Sequence, residues 1–207
     1  VSGAQALAAG LAELGLSLPP SAQGRLLDYL SLLRRWNRTY NLTAVREEGA
    51  MVSRHLLDSL AVLPHLRGQR ICDVGSGAGL PGIPLALALP QAEVTLLDAS
   101  EKKAAFLRQA VIELGIENAQ VACARVERWD PPARFDIVIS RALAPLARFA
   151  SLASHLVAAG GVLAAMKGAD PRAEIEELPA AFGVRSIVPL AVPGVRGARH
   201  LVLLEPR

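Results

Sequence analysis

Between residues 21 and 40 the apolar positions Leu26, Leu30, Leu33 and Trp36 recur at spacings of three and four, with polar and basic residues between them. That spacing places them on one face of a helix. Pro19, Pro20 and Ser21 supply a start signal, and the segment ends near Asn41. A second helix is predicted from about Glu47 to Leu63, turning Met51, Leu56, Leu57 and Leu60 inward. After Gly68 the period changes. Short apolar runs now alternate with helical stretches, as in a parallel sheet covered on both faces.

Strands are predicted at Arg70–Val74, Glu93–Asp98, Ala119–Cys123, Phe135–Ser140, Gly161–Met166, Val184–Pro189 and His200–Glu205. Helices fall at about Leu80–Leu89, Glu101–Leu114, Leu146–Leu156 and Ala173–Leu178. The loop around Pro193–Gly197 is too short for a crossover helix, so the last two strands are expected to be antiparallel. The chain reads as α/β: a seven-stranded, mostly parallel sheet with an antiparallel last strand and helices on both faces. One domain is expected over 1–207, with a helical extension at 1–66 and a Rossmann-like core at 67–207.

Composition adds modest constraints. With 207 residues, 52% hydrophobic, the chain can bury one substantial core. No apolar run reaches the ~18 residues of a membrane-spanning helix, and no leader pattern opens the chain, so a cytoplasmic protein without membrane contact is expected. Cys72 and Cys123 sit far apart in apolar segments, which suggests reduced, buried thiols and no zinc site. A net charge of +3 permits an anionic partner without identifying one.

The chemistry concentrates in Ile71–Pro84, where four glycines and two prolines follow a buried strand. In open α/β sheets, ligands bind at the carboxyl ends of strands, and glycines let the backbone approach them. A nucleoside triphosphate loop needs Gly-Lys-Ser/Thr, and Gly82-Ile83-Pro84 stands there instead. Gly77, Gly79 and Gly82 satisfy the dinucleotide pattern G-x-G-x-x-G, with Asp98 at the end of the next strand, so a nicotinamide oxidoreductase remains an alternative. Asp73 favours another reading. An acid inside the strand, followed by Val74-Gly75-Ser76-Gly77-Ala78-Gly79, resembles motif I of the class I methyltransferases. That resemblance assigns Asp73 to the loop and the methionine end of S-adenosylmethionine (SAM), and Asp98 to the ribose hydroxyls. The plainer reading makes both acids caps of turns.

The end of the fourth strand reads Ser140-Arg141-Ala142. Neither cysteine lies there, which speaks against covalent attack on a pyrimidine. Arg141 stays protonated and is a poor base, but it can grip a phosphate or the O6/N7 edge of guanine. Guanine N7 carries a lone pair and no proton, so its methylation needs alignment and no base. Lys167, Arg199 and His200 are placed by the strand pattern on the same rim, where they are candidates for RNA contact. Alternatively, Arg141 is an ion-pair partner and Lys167 a solvated surface residue. His55 and Asp58, three apart on one helix, are expected to pack by hydrogen bonding and to hold no metal. Arg34, Arg35 and Arg38 with Trp36 and Tyr40 form either a basic, aromatic RNA face or an ordinary amphipathic helix.

Taken together, Trp36–Thr43, Arg54–Ser59, Asp73–Pro84, Ser140–Ala142, Lys167-Gly168 and Arg199–Val202 resemble the bacterial small-subunit rRNA guanine-N7 methyltransferases, the glucose-inhibited division protein B family. The resemblance implies a class I SAM-dependent enzyme acting on a guanine in the 530 loop of 16S rRNA, either as naked RNA or in the 30S subunit. It places the cofactor on Gly75, Leu80, Val126, Glu127 and Arg141, together with Asp73, Gly77, Gly79 and Asp98 from the motif, and makes Arg141 the catalytic residue. A monomer without metal is expected. A non-catalytic RNA-binding assembly factor with a vestigial cofactor site is the other alternative.

Overall fold

The computed structural model describes residues 2–207. The seven strands are β1 (Arg70–Val74), β2 (Glu93–Asp98), β3 (Ala119–Cys123), β4 (Phe135–Arg141), β5 (Val157–Lys167), β6 (Phe182–Pro189) and β7 (His200–Pro206). They form one sheet in the order β3-β2-β1-β4-β5-β7-β6. The pairs β1–β2, β1–β4, β2–β3 and β4–β5 are parallel, whereas β7 runs antiparallel to both neighbours. The order reverses between β1 and β4, so the loops after those strands diverge and leave a crevice.

Helices α1 (Gly3–Glu13), α2 (Pro20–Tyr40), α3 (Glu48–Met51) and α4 (Asp58–Leu60) precede the sheet; α5 (Gly82–Ala88), α6 (Glu101–Glu113), α7 (Leu146–Ala153) and α8 (Arg172–Glu176) intervene between strands. Among the described residues no helix is long and apolar enough to cross a membrane. The first helix was not expected. Ser2 caps it, accepting from the Gln5 amide while the Gln5 side chain returns to the Ser2 amide.

The predicted Glu47–Leu63 helix is not one regular helix. Between α3 and α4 the backbone winds through a π-helical segment, Val52–Leu57, and a 3-10 turn comes after it at Leu63–His65. The wider turn inserts an extra residue and rotates the succeeding helical turn, and such segments recur at functional sites. Other differences lie at ends. The α5 helix begins at Gly82, not Leu80, and β5 reaches back to Val157. Cys72 is fully buried, as expected, but Cys123 is only partly so.

One core cluster joins the inner faces of α1, α2, α4, α5 and α6 to one side of the sheet; a second fills the other side beneath α7. Leu7, Leu26, Leu33, Leu56 and Leu60 all belong to the first, so the N-terminal helices share the core of the sheet. Removing a large buried side chain from such a core typically costs about 2–5 kcal/mol. Helix α2 therefore stands as a wall of the sheet, with Tyr29 facing the glycine loop.

Candidate functional site

The loop after β1 is held from several directions. Gly75 and Ser76 donate their amides to Leu97 O at 2.8 and 3.0 Å, tying the loop to β2. The Asp73 carboxylate, wholly buried, accepts from Ser76 Oγ at 2.6 Å and from the Gly82 amide at 2.8 Å through Oδ2, while Oδ1 has no partner among the described residues. A single oxygen thus clamps both ends of the turn. Burial pushes this carboxyl up to about 6, against the opposing pull of the two hydrogen bonds and of Arg141. Gly75, Gly77 and Gly79 adopt φ of 68°, 60° and 88°, a region closed to most L side chains. Asp98 completes the frame: Oδ2 accepts from Gly77 N and Oδ1 from Ser100 N, each at 2.9 Å.

Above this frame opens a cleft of about 400 Å³, lined by Gly75, Asp98, Val126, Glu127, Arg141 and Leu143 among others. Five residues named from the sequence therefore meet there. Asp73, Gly77, Gly79 and Leu80 do not line it. Asp73 is buried beneath the loop, Leu80 belongs to the core, and a Cβ on Gly79 would lie 2.4 Å from Ile83. Their contribution is the shape of the turn.

The cleft fits an adenosine-bearing cofactor on observed grounds. Its volume suits a small ligand. A Cβ on Gly75 would project to within 2.6 Å of Leu143 across the cleft, so glycine keeps that passage open. The Asp98 carboxylate is oriented by two amides and keeps lone pairs for a diol. Val126 supplies an apolar wall, and Lys103, Arg125 and Arg148 add cationic groups to the lining.

A second cleft of about 320 Å³ lies beside the first, lined by Val45, Arg54, His55, Asp58, Met166, Lys167, Arg199 and His200. Arg141 and Ala142 line both clefts. Ala142 holds φ of 57°, unusual for a residue with a Cβ, immediately after the strand end. Because β7 is antiparallel to β5, His200 pairs with Lys167 in register, and Arg199 arrives at the same rim.

Arg141 and the three rim residues expected to meet RNA, Lys167, Arg199 and His200, each have internal partners. Arg141 donates from Nη1 to Asp58 Oδ2 at 3.1 Å and to Arg54 O at 2.9 Å. Arg199 donates from Nε to Asp58 Oδ1 at 3.2 Å. Lys167 donates to Glu174 Oε2 at 2.8 Å, and that oxygen also accepts the Leu146 amide at the start of α7. His200 Nδ1 lies 3.0 Å from Ala169 O. The ion-pair reading of Arg141 is thus correct as far as it goes, and it coexists with a place in both clefts.

His55 and Asp58 pack by hydrogen bonding, as expected. His55 Nε2 lies 2.9 Å from Thr43 Oγ1, and burial together with the Arg141 charge holds the imidazole down at about 4, so it is neutral near pH 7. Among the described residues no group of three or more His, Cys, Asp and Glu is placed to hold a metal. Asn37 explains part of the Trp36–Thr43 stretch: its amide side chain bonds both the carbonyl and the amide of Thr43, at 2.9 Å each. The basic, aromatic face of α2 divides. Arg34 pairs with Glu48 and Arg35 with Glu113, while Trp36 stacks on Tyr40 and meets Phe106 edge-on.

Two elements escaped the sequence reading. Tyr29, three residues after Leu26 on the apolar stripe of α2, is buried and donates its hydroxyl to Ala78 O at 2.6 Å. A lone tyrosine in a leucine stripe was the available signal. The other is the double role of Asp58, whose two arginine partners lie 83 and 141 positions away.

The family described as "GidB: rRNA small subunit methyltransferase G" matches residues 22–202. The protein named ribosomal RNA small subunit methyltransferase G in Laribacter hongkongensis is 55% identical over 201 residues, covering 97% of both chains. Its namesake in Nitrosospira multiformis is 55% identical over 206 residues, covering 96% of this chain and 95% of that one. Among solved structures, the glycopeptide N-methyltransferase MtfA complexed with SAM superposes with a TM-score of 0.60 at 16% identity, covering 72% of this chain and 87% of that one.

Proposed function

Because the chain belongs to the family of rRNA small subunit methyltransferase G, we propose that it transfers a methyl group from SAM to N7 of a guanine in the 530 loop of 16S rRNA. The observation that carries this reading is the position of Arg141, which lines both the cleft framed by the glycine loop and Asp98 and the adjoining cationic cleft. A donor and an acceptor bound side by side would share one wall.

Gly75, Asp98, Val126 and Glu127 hold the cofactor in this reading, with Asp73, Gly77, Gly79 and Leu80 shaping the loop that receives it. When bound, SAM would supply a methyl group on a positively charged sulfur, so that an N–C bond could form as the S–C bond breaks and its electron pair stays on sulfur. No proton leaves N7, so the chain needs neither a general base nor a metal at the reacting atom. Neutral His55 and the paired Asp58 are consistent with that. Arg141 orients the purine by donating to O6, which leaves the N7 lone pair free to attack. Lys167, Arg199 and His200 meet the surrounding RNA backbone, with Arg199 and Lys167 exchanging internal carboxylates for phosphates. Most of the rate then comes from alignment.

Gly82, the third glycine of the dinucleotide pattern, serves packing: a Cβ there would lie 2.3 Å from Leu96 and 2.6 Å from Asp73. The cytoplasm, where rRNA is found, is the expected place of action, and a single chain carries both clefts. Incubation with methyl-labelled SAM and either naked 16S rRNA or 30S subunits tests the proposal, followed by mapping the label through the chemical lability of N7-methylguanosine. Label at a single guanine of the 530 loop is expected. Label elsewhere overturns the target, and no label on either RNA favours an assembly factor. Calorimetry with SAM and NADH separates the oxidoreductase alternative.

A further inference from the structure

Asp58 stands where the two clefts join. It is the first residue after the π-helical segment, only 5% exposed, and each carboxylate oxygen takes one arginine from a different part of the sheet. Arg141, at the end of β4, lines both clefts; Arg199, just before β7, lines only the second. Arg141 is also tied to the π segment by the Arg54 carbonyl. The wide turn thus presents a carbonyl and a carboxylate together to one guanidinium.

We propose that Asp58 is a positioning residue that couples the two clefts, by holding Arg141 at their shared wall in a geometry that depends on Arg199. The inference rests on the assignment of the clefts to donor and acceptor. Its physical basis is competition for one carboxylate. With both arginines present, each takes one oxygen and Arg141 stays across the boundary. If Arg199 turns to an RNA phosphate, Oδ1 is released and Asp58 is free to draw Arg141 further toward itself, reshaping the donor cleft. Filling of the acceptor side is thereby felt on the donor side, although Arg199 does not line it.

A second consequence concerns charge. Methyl transfer to N7 places a positive charge on the purine ring, and a bare guanidinium beside that ring would oppose it. Asp58 offsets the Arg141 charge while leaving the other N–H groups of the guanidinium to orient the base.

Calorimetric titration of SAM into the full chain tests the coupling without relying on catalysis. Arg199→Gln is expected to change the SAM dissociation constant by about fivefold or more, the low end of inter-site coupling. In an Asp58→Asn background the same second substitution should change it by less than about twofold, because the transmitting carboxylate is gone. An Arg199→Gln protein whose SAM affinity matches wild type within about twofold overturns the inference, and this holds even if Asp58→Asn fails to fold. In transfer assays at saturating RNA and SAM, Asp58→Asn should lower kcat by about tenfold or more, with partial rescue by Asp58→Glu. A wild-type chain that binds no SAM refutes the cofactor assignment itself, a result distinct from a chain that binds SAM but shows no coupling.

Discussion

The hydroxyl of Tyr29, on α2, donates to the carbonyl of Ala78, in the middle of the glycine loop, at 2.6 Å. The phenol is completely buried, and burial pushes its ionisation far above the ordinary range, so it remains a donor at any working pH. A helix contributed by the N-terminal segment therefore braces the loop from behind, while Asp73 braces it from the strand.

Replacing Tyr29 by Phe should remove the brace and leave the Ala78 carbonyl buried without its donor. The expected cost is about 1–3 kcal/mol, read as a lower urea midpoint at unchanged slope. SAM affinity should weaken with it. Unchanged affinity would confine the contact to stability.

Gly75→Ala meets two obstacles. The residue sits at φ of 68°, which costs an L side chain roughly 1–2 kcal/mol, and the new Cβ points at Leu143. Leu143 is exposed enough to move, so the backbone strain dominates. Calorimetry should show SAM binding weakened by about tenfold, with the fold retained.

Two buried groups pull the pH dependence of stability in opposite directions. Asp73 is held up at about 6 from an ordinary 3.8, and His55 down at about 4 from 6.5. Between about 4 and 6 the folded chain keeps a proton on Asp73 that the unfolded chain has lost, so this group lowers stability as pH rises. Over nearly the same interval the unfolded chain carries a proton on His55 that the folded chain excludes, so this group raises stability as pH rises. Each amounts to on the order of 3 kcal/mol across its full window, and they largely cancel. Relative to wild type, Asp73→Asn should gain stability with rising pH in urea titrations, and His55→Gln should lose it. Parallel curves for all three proteins would contradict both assignments.

Arg141→Ala should abolish most transfer. If the guanidinium orients the purine, single-turnover label transfer falls by about 100-fold or more. A full rate in this variant would remove Arg141 from the reaction. The substitution also leaves Asp58 with Arg199 alone, so the folded fraction must be measured in parallel.

The strands were legible because each is a short apolar run between turn residues, and β1 to β3 matched their predicted bounds. Helix α1 was missed because its identity lies in a local cap, Ser2 with Gln5, and its apolar face is only a few residues. The π segment was invisible, since Met51, Leu56, Leu57 and Leu60 are compatible with a regular helix and the extra residue leaves no mark in that pattern. At the site, Gly75, Asp98, Val126, Glu127 and Arg141 were assigned from local motifs and a resemblance, and they do converge on one cleft. The partners Asp58 and Glu174 were not assigned as such. An ion pair between distant positions is a property of the folded surface, and charge alone does not name its partner.

The polarity of the last strand has a geometric effect on the site. Had β7 run parallel to β5, its first residues would lie at the far end of the sheet from Lys167, roughly 15–20 Å away for a strand of this length. Running the other way, the chain delivers Arg199 and His200 to the mouth of the second cleft through a short hairpin, whose Gly194 packs so closely on Ser53 that a Cβ would lie 2.4 Å from its hydroxyl. Strand direction here acts as an address label: it decides which end of the sheet receives Arg199 and His200.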